Sequence, residues 1–251
     1  MKPLAILHSA FAQVLLLDSD NTPVKSPDVI FAELEKLKTS AIFWPDYWKS
    51  SLDNPIWSIL GLEPENTFEQ ESGQVLVDKE KSWKALNFCM HLNTPFFMKL
   101  LNGDKDTFRF AWKYAKTPYH MIQHRVVPMG NYQHPNNNFA FCGHSMMQFD
   151  PNGDAMFVHH NHVKTIQDAN GIRFDAYLSI KPSDEYKTIL ANTLKIPNRR
   201  PLHCYECVDV HTNGKIDGIV MRAGDDLSEF EAEFMAVAQS VETILHPKKT
   251  H

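Results

Sequence analysis

Short apolar runs, separated by stretches with helical spacing, set the pattern of this chain. Val14-Leu15-Leu16-Leu17, Ala41-Ile42-Phe43-Trp44 and Val75-Leu76-Val77 each predict a short buried strand. Residues 3–11 predict a short helix before the first of them. Ser26-Pro27 places an N-cap ahead of proline at the first helical position, and Ile30, Phe31, Leu34 and Leu37 follow at helical spacing. Asn54 to Leu60 predicts a short helix closed by Gly61. Residues 79–92 predict another. Gly103-Asp104-Lys105-Asp106 opens a further one, with Phe108, Ala111, Trp112 and Ala115 on its apolar face. Residues 128–138, rich in Pro and Asn, predict a loop. Strands alternating with helices predict an α/β fold with a largely parallel or mixed sheet.

The remainder reads differently. Segments 172–180, 203–210 and 217–222 predict strands, with a turn at Asn213-Gly214. One helix follows, with Ser228 and Glu231 as a capping box and Phe230, Phe234, Val237, Val241 and Leu245 along one face. The expected division is a core over residues 1–165 and an α+β extension over 166–251 packed on it.

Composition narrows the function classes. The 251 residues suffice for one large domain or two small ones. A net charge of −5 provides no basic footprint for nucleic acid. The longest apolar runs fall short of the roughly 20 residues a membrane span needs, and Met1-Lys2-Pro3-Leu4 does not read as a signal peptide. Cys204-Tyr205-Glu206-Cys207 is a C-x-x-C without a second pair at zinc-ribbon spacing. On one strand its two thiols would point to opposite faces.

Four polar clusters lie at the ends of predicted elements, where α/β folds place their sites. Asp18-Ser19-Asp20 follows the first strand. Its carboxylates fall on one side if the chain stays extended, and two such oxygens can hold a hard divalent cation. As an isolated pair it reads more readily as a strand running into an Asp/Asn/Ser turn. Glu71-Ser72-Gly73-Gln74 precedes a strand, and its small residues let a ligand approach the backbone; it also reads as a polar turn. Asp104 and Asp106 open a helix, where carboxylates are favoured for capping alone. His159, His160 and His162 complete the set, with His160 and His162 on one strand face and His159 on the other.

Two enzyme patterns compete for the D-x-D. Leu16-Leu17-Asp18-Ser19-Asp20-Asn21-Thr22 fits the opening motif of haloacid-dehalogenase-like phosphatases, with Asp18 as nucleophile, Asp20 as acid/base and Gly103-Asp104 as a later magnesium motif. That pattern then breaks, because the further acid expected after Gly103-Asp104 is replaced by Phe108 and Arg109. The second pattern is longer. Ala5 to Ser9 before Val14 to Asn21, then Phe43-Trp44-Pro45-Asp46-Tyr47-Trp48, Asn54-Pro55-Ile56-Trp57, Glu69 to Gln74, Gly103 to Trp112, Pro118 to Met121, Phe141 to Ser145 and Phe157 to Asn161 together resemble the fungal α-mannosyltransferases that branch cell-wall mannan and extend glycans. The resemblance covers roughly residues 2–164 in family order.

The resemblance implies a GT-A-like (Rossmann-like) mixed sheet with flanking helices, and a retaining transfer of mannose from GDP-mannose to a mannose hydroxyl with Mn²⁺ as cofactor. It implies Asp18, Asp20 and His159 as metal ligands, and Asp104 and Asp106 as the carboxylates at the reacting sugar. Glu71, Ser72, Gly73 and Gln74 would line the sugar pocket, with Trp44 stacking on the acceptor. Partners would be a nucleotide sugar and a glycan acceptor, with no nucleic acid, and complexes with related transferases. The implied location is the luminal side of the Golgi membrane, through an anchor this sequence does not carry. A nucleotide-binding βαβ unit needs about 30 residues or more, and 17 precede Asp18. The chain is therefore expected to lack the N-terminal part of such an enzyme. A degenerate, non-catalytic transferase serving as a binding subunit is the alternative expectation.

Overall fold

Two apolar runs, Val14 to Leu17 and Val75 to Val77, pair with each other. In the computed structural model, β1 (Gln13–Leu17) lies antiparallel to β4 (Phe68–Asp78), in unbroken register from Gln13 opposite Asp78 to Leu17 opposite Gln74. The structure describes residues 2–101, 103–132 and 139–161, together with strand segments 176–180, 192–194, 202–204, 207–209 and 218–222. They fall into two units, Met1–Val126 with Gln148–Ala155, and Val127–Met147 with Met156–His251.

The first unit holds a four-stranded sheet ordered β1-β4-β3-β5, where β3 is Ala41–Lys49 and β5 is His120–Met121. β4 is antiparallel to both neighbours, and only β3 and β5 run parallel. The sheet is thus mixed, with antiparallel pairing dominant where strand–helix alternation had suggested more parallel pairing. Helices α4 (Trp83–Leu92), α5 (Pro95–Leu100) and α6 (Thr107–Ala115) lie between β4 and β5, the stretch that brings β5 parallel beside β3.

One face of this sheet carries the core. Ala41, Phe43, Val75 and Val77 point to it, alternating with Ile42 and Leu76 on the other face. Ile6 of α1 (Lys2–His8), Trp57 of α3 (Ile56–Leu60), Leu86 of α4 and Phe108, Ala111 and Trp112 of α6 cover them. Phe43 meets the Trp112 ring edge-on with centroids 5.2 Å apart. Gly61 closes α3 in the left-handed region at φ 62°, a conformation that favours glycine. α2 spans Asp28–Lys36 and buries Ile30 and Leu34; Ser26 Oγ accepts the Asp28 N–H.

Three boundaries differ from the sequence reading. Glu71 to Gln74 lies inside β4, because β3 pairs with Glu71 and β1 with Gln74, one ladder holding each end of the segment. Helix α4 starts at Trp83 because Asp78 Oδ1 accepts the Lys81 N–H and holds a turn ahead of it. Part of the expected 128–138 loop is β6 (Val127–Tyr132), which gains ladders from β7 (Phe139–Phe149) and β9 (Ala176–Ile180).

β2 (Asn21–Pro23) is a short strand of the first unit. In the second unit the strands follow the order β13-β9-β6-β7-β8, where β8 is Ala155–His159 and β13 is Gly218–Arg222. β10 (Asn192–Leu194) pairs β11 (Leu202–Cys204), and β12 (Cys207–Asp209) pairs β7 with Cys207 opposite Cys142. Cys204 and Cys207 therefore belong to different strands and not to the single strand expected over 203–210. The capping box at Ser228 and Glu231, its helix, the Asn213-Gly214 turn and His162 lie outside the described residues.

Candidate functional site

The β3–β4 ladder is interrupted where the β1–β4 ladder is not. Between Ile42 opposite Leu76 and Trp44 opposite Glu71, β3 advances two positions while β4 advances five. The extra residues of β4 bulge away from β3, yet β1 keeps its hold through Leu17 opposite Gln74. The Asp18 N–H then donates to the Gly73 carbonyl at 2.8 Å, one step beyond the strand. Such bulges terminate pairing and re-aim side chains beside functional sites. Here the bulge brings the 71–74 segment against the D-x-D.

The turn reading of Asp18-Ser19-Asp20 is realised, and the same turn brings its two carboxylates together. The segment is a turn, with the Asn21 N–H donating to the Asp18 carbonyl at 3.0 Å. The turn also places an oxygen of Asp18 within 4.8 Å of an oxygen of Asp20. Both residues are half-buried. Two carboxylates converging at that distance, with access to solvent, fit the oxygen preference of a hard divalent cation.

Several residues are tied to this pair. Lys2 Nζ donates to Asp18 Oδ2 at 2.8 Å and to both the carbonyl and the hydroxyl of Ser72 at 2.9 Å. The Asn21 amide donates to Gln74 Oε1, and Glu71 Oε1 accepts the Gly73 N–H at 2.6 Å. Asp18, Asp20, Ser72, Gly73 and Gln74 thus form one locality, with Glu71 bracing its backbone. His159 ends β8 in the second unit and is buried, as is His160. Trp44 is fully buried, on the face of β3 opposite Phe43, with Nε1 donating to the Phe149 carbonyl at 2.8 Å. Trp48 is the exposed aromatic of that segment, at 46%.

Asp104 and Asp106 take different environments. Asp106 is buried and its oxygens are fully engaged: Arg109 Nε and Nη2 donate at 2.9 and 2.8 Å, the Gln70 N–H at 2.8 Å, and Ser50 Oγ at 3.2 Å. Asp104 is half-buried, and its carbonyl accepts from Thr107 Oγ1. Lys105, between them, pairs with Asp46 of β3 and with Glu69 of β4 at 2.6 Å. Burial, reinforced by the negative charge of Glu71, pushes the Asp46 carboxyl up to about 6, although the Lys105 ammonium opposes the shift. Burial works against the Lys105 charge, but Asp46 and Glu69 outweigh it and its pKa is raised.

Sequence reasoning did not select Lys2, Asp46 or Glu69. Asp46 and Glu69 sit within the motif stretches Phe43–Trp48 and Glu69–Gln74, which is the one signal that reaches them. Nothing in a lone Lys2 distinguishes it from a solvated helix residue.

The described residues therefore define an α/β unit in which a carboxylate pair at the end of β1 lies beside the bulge of the central strand β4, a layout suited to an enzyme that handles a charged substrate. A family model described as mannosyltransferase (Mannosyl_trans3) matches residues 1–69 and 62–150, more than half of the chain. The chain belongs to this mannosyltransferase family. Among curated relatives, the α-1,2-mannosyltransferase MNN21 of Candida albicans is 30% identical over 207 residues, covering 62% of this chain and 31% of the relative. MNN24 of the same organism is 25% identical, over 60% of this chain and 27% of its own length. The Saccharomyces cerevisiae α-1,2-mannosyltransferase MNN2 is 25% identical, over 73% and 39% respectively. The chain spans about a third of the length of the curated relatives it matches. Among the described residues no helix is long and apolar enough to cross a membrane.

Proposed function

We propose that this chain carries the catalytic core of a metal-dependent α-mannosyltransferase of the GT-A kind. It would move mannose from GDP-mannose to a mannose hydroxyl of a glycan or mannan, with retention at the anomeric carbon and an α-1,2 linkage. The observation that carries this reading is the convergence of Asp18 and Asp20 beside the bulged Ser72-Gly73 backbone, in a chain of this family. The relatives' names supply the linkage.

In this reading Asp18 and Asp20 would hold Mn²⁺, and the family resemblance implies His159 as a further ligand. The ion supplies Lewis-acid neutralisation of the charge that grows on the departing nucleotide diphosphate. The chain's own residues bind and orient. Ser72, Gly73 and Gln74 present small polar groups and backbone to the donor sugar. Asp104 offers a carboxylate to sugar hydroxyls, and Asp106 positions its neighbours through the buried Arg109. The site of action is the Golgi lumen, where nucleotide sugar and glycan acceptor meet.

The test is a transfer assay with radiolabelled GDP-mannose and an α-linked mannobiose acceptor, with and without Mn²⁺. Expected is a Mn²⁺-dependent mannotriose whose new bond is cleaved by an α-1,2-specific mannosidase. A folded, Mn²⁺-supplied protein that neither transfers nor hydrolyses the donor overturns the proposal.

A further inference from the structure

Lys2 is a cation held at the acid pair, and the D-x-D pattern does not account for it. An ammonium has three protons, and all three have acceptors here: Asp18 Oδ2 at 2.8 Å, the Ser72 carbonyl at 2.9 Å and Ser72 Oγ at 2.9 Å. The side chain is 19% exposed, so the charge is held largely out of water. Its carrier is also fixed. Ile6 anchors α1 in the core, and Lys79 Nζ donates to the carbonyls of Leu7 and Ser9 at the far end of the helix. A tie between α1 and β4 needs only a hydrogen-bond donor, or an apolar contact. Placing a full positive charge 2.8 Å from a carboxylate of the candidate cation site does more than that.

We propose that Lys2 is a positioning residue of the Asp18/Asp20 site. It fixes Oδ2 of Asp18, leaves Oδ1 to a divalent cation, and adds a permanent positive charge where an anionic diphosphate docks. The inference rests on the metal-dependent reading above. Its consequences have opposite signs for two ligands. Toward the bare cation Lys2 is a like charge and weakens binding. Toward a diphosphate it is an opposite charge and strengthens binding. A lysine that only braced α1 would change stability and leave both affinities alone.

The experiment is calorimetric titration of the folded chain with MnCl₂, then with GDP at saturating Mn²⁺. For Lys2→Met the expected result is Mn²⁺ binding about tenfold tighter and GDP binding about tenfold weaker, the scale of one unit charge near a part-buried site. Lys2→Arg keeps the charge and holds both affinities within about threefold of the parent. Should Lys2→Met not fold, Lys2→Gln keeps a donor toward Ser72, removes the charge and carries the same expectations. A parent that binds Mn²⁺ and GDP while the neutral variants match it within twofold overturns the role of Lys2 and leaves the metal reading standing. A parent that binds neither overturns the metal reading, and the role of Lys2 falls with it.

Discussion

Arg109 and Asp106, one helical turn apart at the start of α6, form a two-pronged ion pair with side chains only 1% and 2% exposed. Arg109 also donates to Thr67 Oγ1 at 2.9 Å and to Ser50 Oγ, joining α6 to both ends of the segment that connects β3 and β4. A buried charge left without its partner is costly. Asp106→Ala is therefore expected to lower stability by about 3–5 kcal/mol. Urea denaturation followed by circular dichroism measures it, and a loss below about 1 kcal/mol would show that water reaches the pair.

Asp20 separates chemistry from folding more cleanly, since it is half-buried at a turn. Asp20→Asn removes a charge from the proposed cation site while keeping shape. If the metal supplies several kcal/mol to the transition state, the transfer rate drops about 10²–10³-fold. The thermal midpoint stays close to the parent's, and normal Mn²⁺-dependent turnover in the variant would exclude Asp20 as a ligand.

Asp46 makes stability depend on pH. Its carboxyl titrates at about 6 in the folded protein, against 3.8 ordinarily, because burial and Glu71 disfavour the charge. The folded state thus binds this proton more tightly than the unfolded state does. The associated stability is present below pH 3.8 and is lost as pH rises through 6. Asp46→Asn removes that slope. Urea midpoints of parent and variant, compared at pH 4.5 and 7, are expected to differ in their pH dependence in that direction.

Asp150 has the opposite sign. Burial opposes its charge, but Lys25 and the N–H groups of Asp154 and Asn152 outweigh it, and its pKa lies below 3.8. Its contribution is present above pH 3.8 and disappears as pH falls through the lowered value. Lys25 Nζ lies 2.6 Å from Asp150 Oδ2, and the Asp150 side chain is 1% exposed. Lys25→Met is expected to cost about 1–3 kcal/mol at pH 7 and less in acid, as chemical denaturation at the two pH values would report.

Cys89 is a free thiol sealed in the core between α4 and α6, and burial pushes its pKa up to about 12. Thiolate is the reactive form. Iodoacetamide at pH 8, followed by peptide mapping, is expected to leave Cys89 unmodified in buffer and alkylate it in urea. Rapid labelling of the native protein would mean that the α4–α6 packing opens readily.

How far these features were legible in the sequence depended on the range of the interaction behind them. β1, α2 and the Gly61-closed α3 follow from periodicity and capping within about ten residues, and all three form as expected. α5 escaped although Thr94-Pro95 carries the local signal of a helix start. Glu71 to Gln74 looked like a turn because its residues are small and polar. It became strand because β1 and β3 each supply a ladder, a fact about residues more than 25 positions away.

By itself, the sequence determined the apolar runs, the helix caps, the D-x-D and the family, since each resides in contiguous residues. Tertiary structure decided the rest. It put β4 between β1 and β3, made the sheet chiefly antiparallel, and bulged β4 so that Ser72 and Gly73 meet Asp18. It also chose the counter-ions: Lys2 for Asp18, Arg109 for Asp106, Lys105 for Asp46. The physical reason is that a charge's partner is set by which backbones cross nearby, and partners such as Lys105 and Asp46, 59 residues apart, leave no mark in the local pattern.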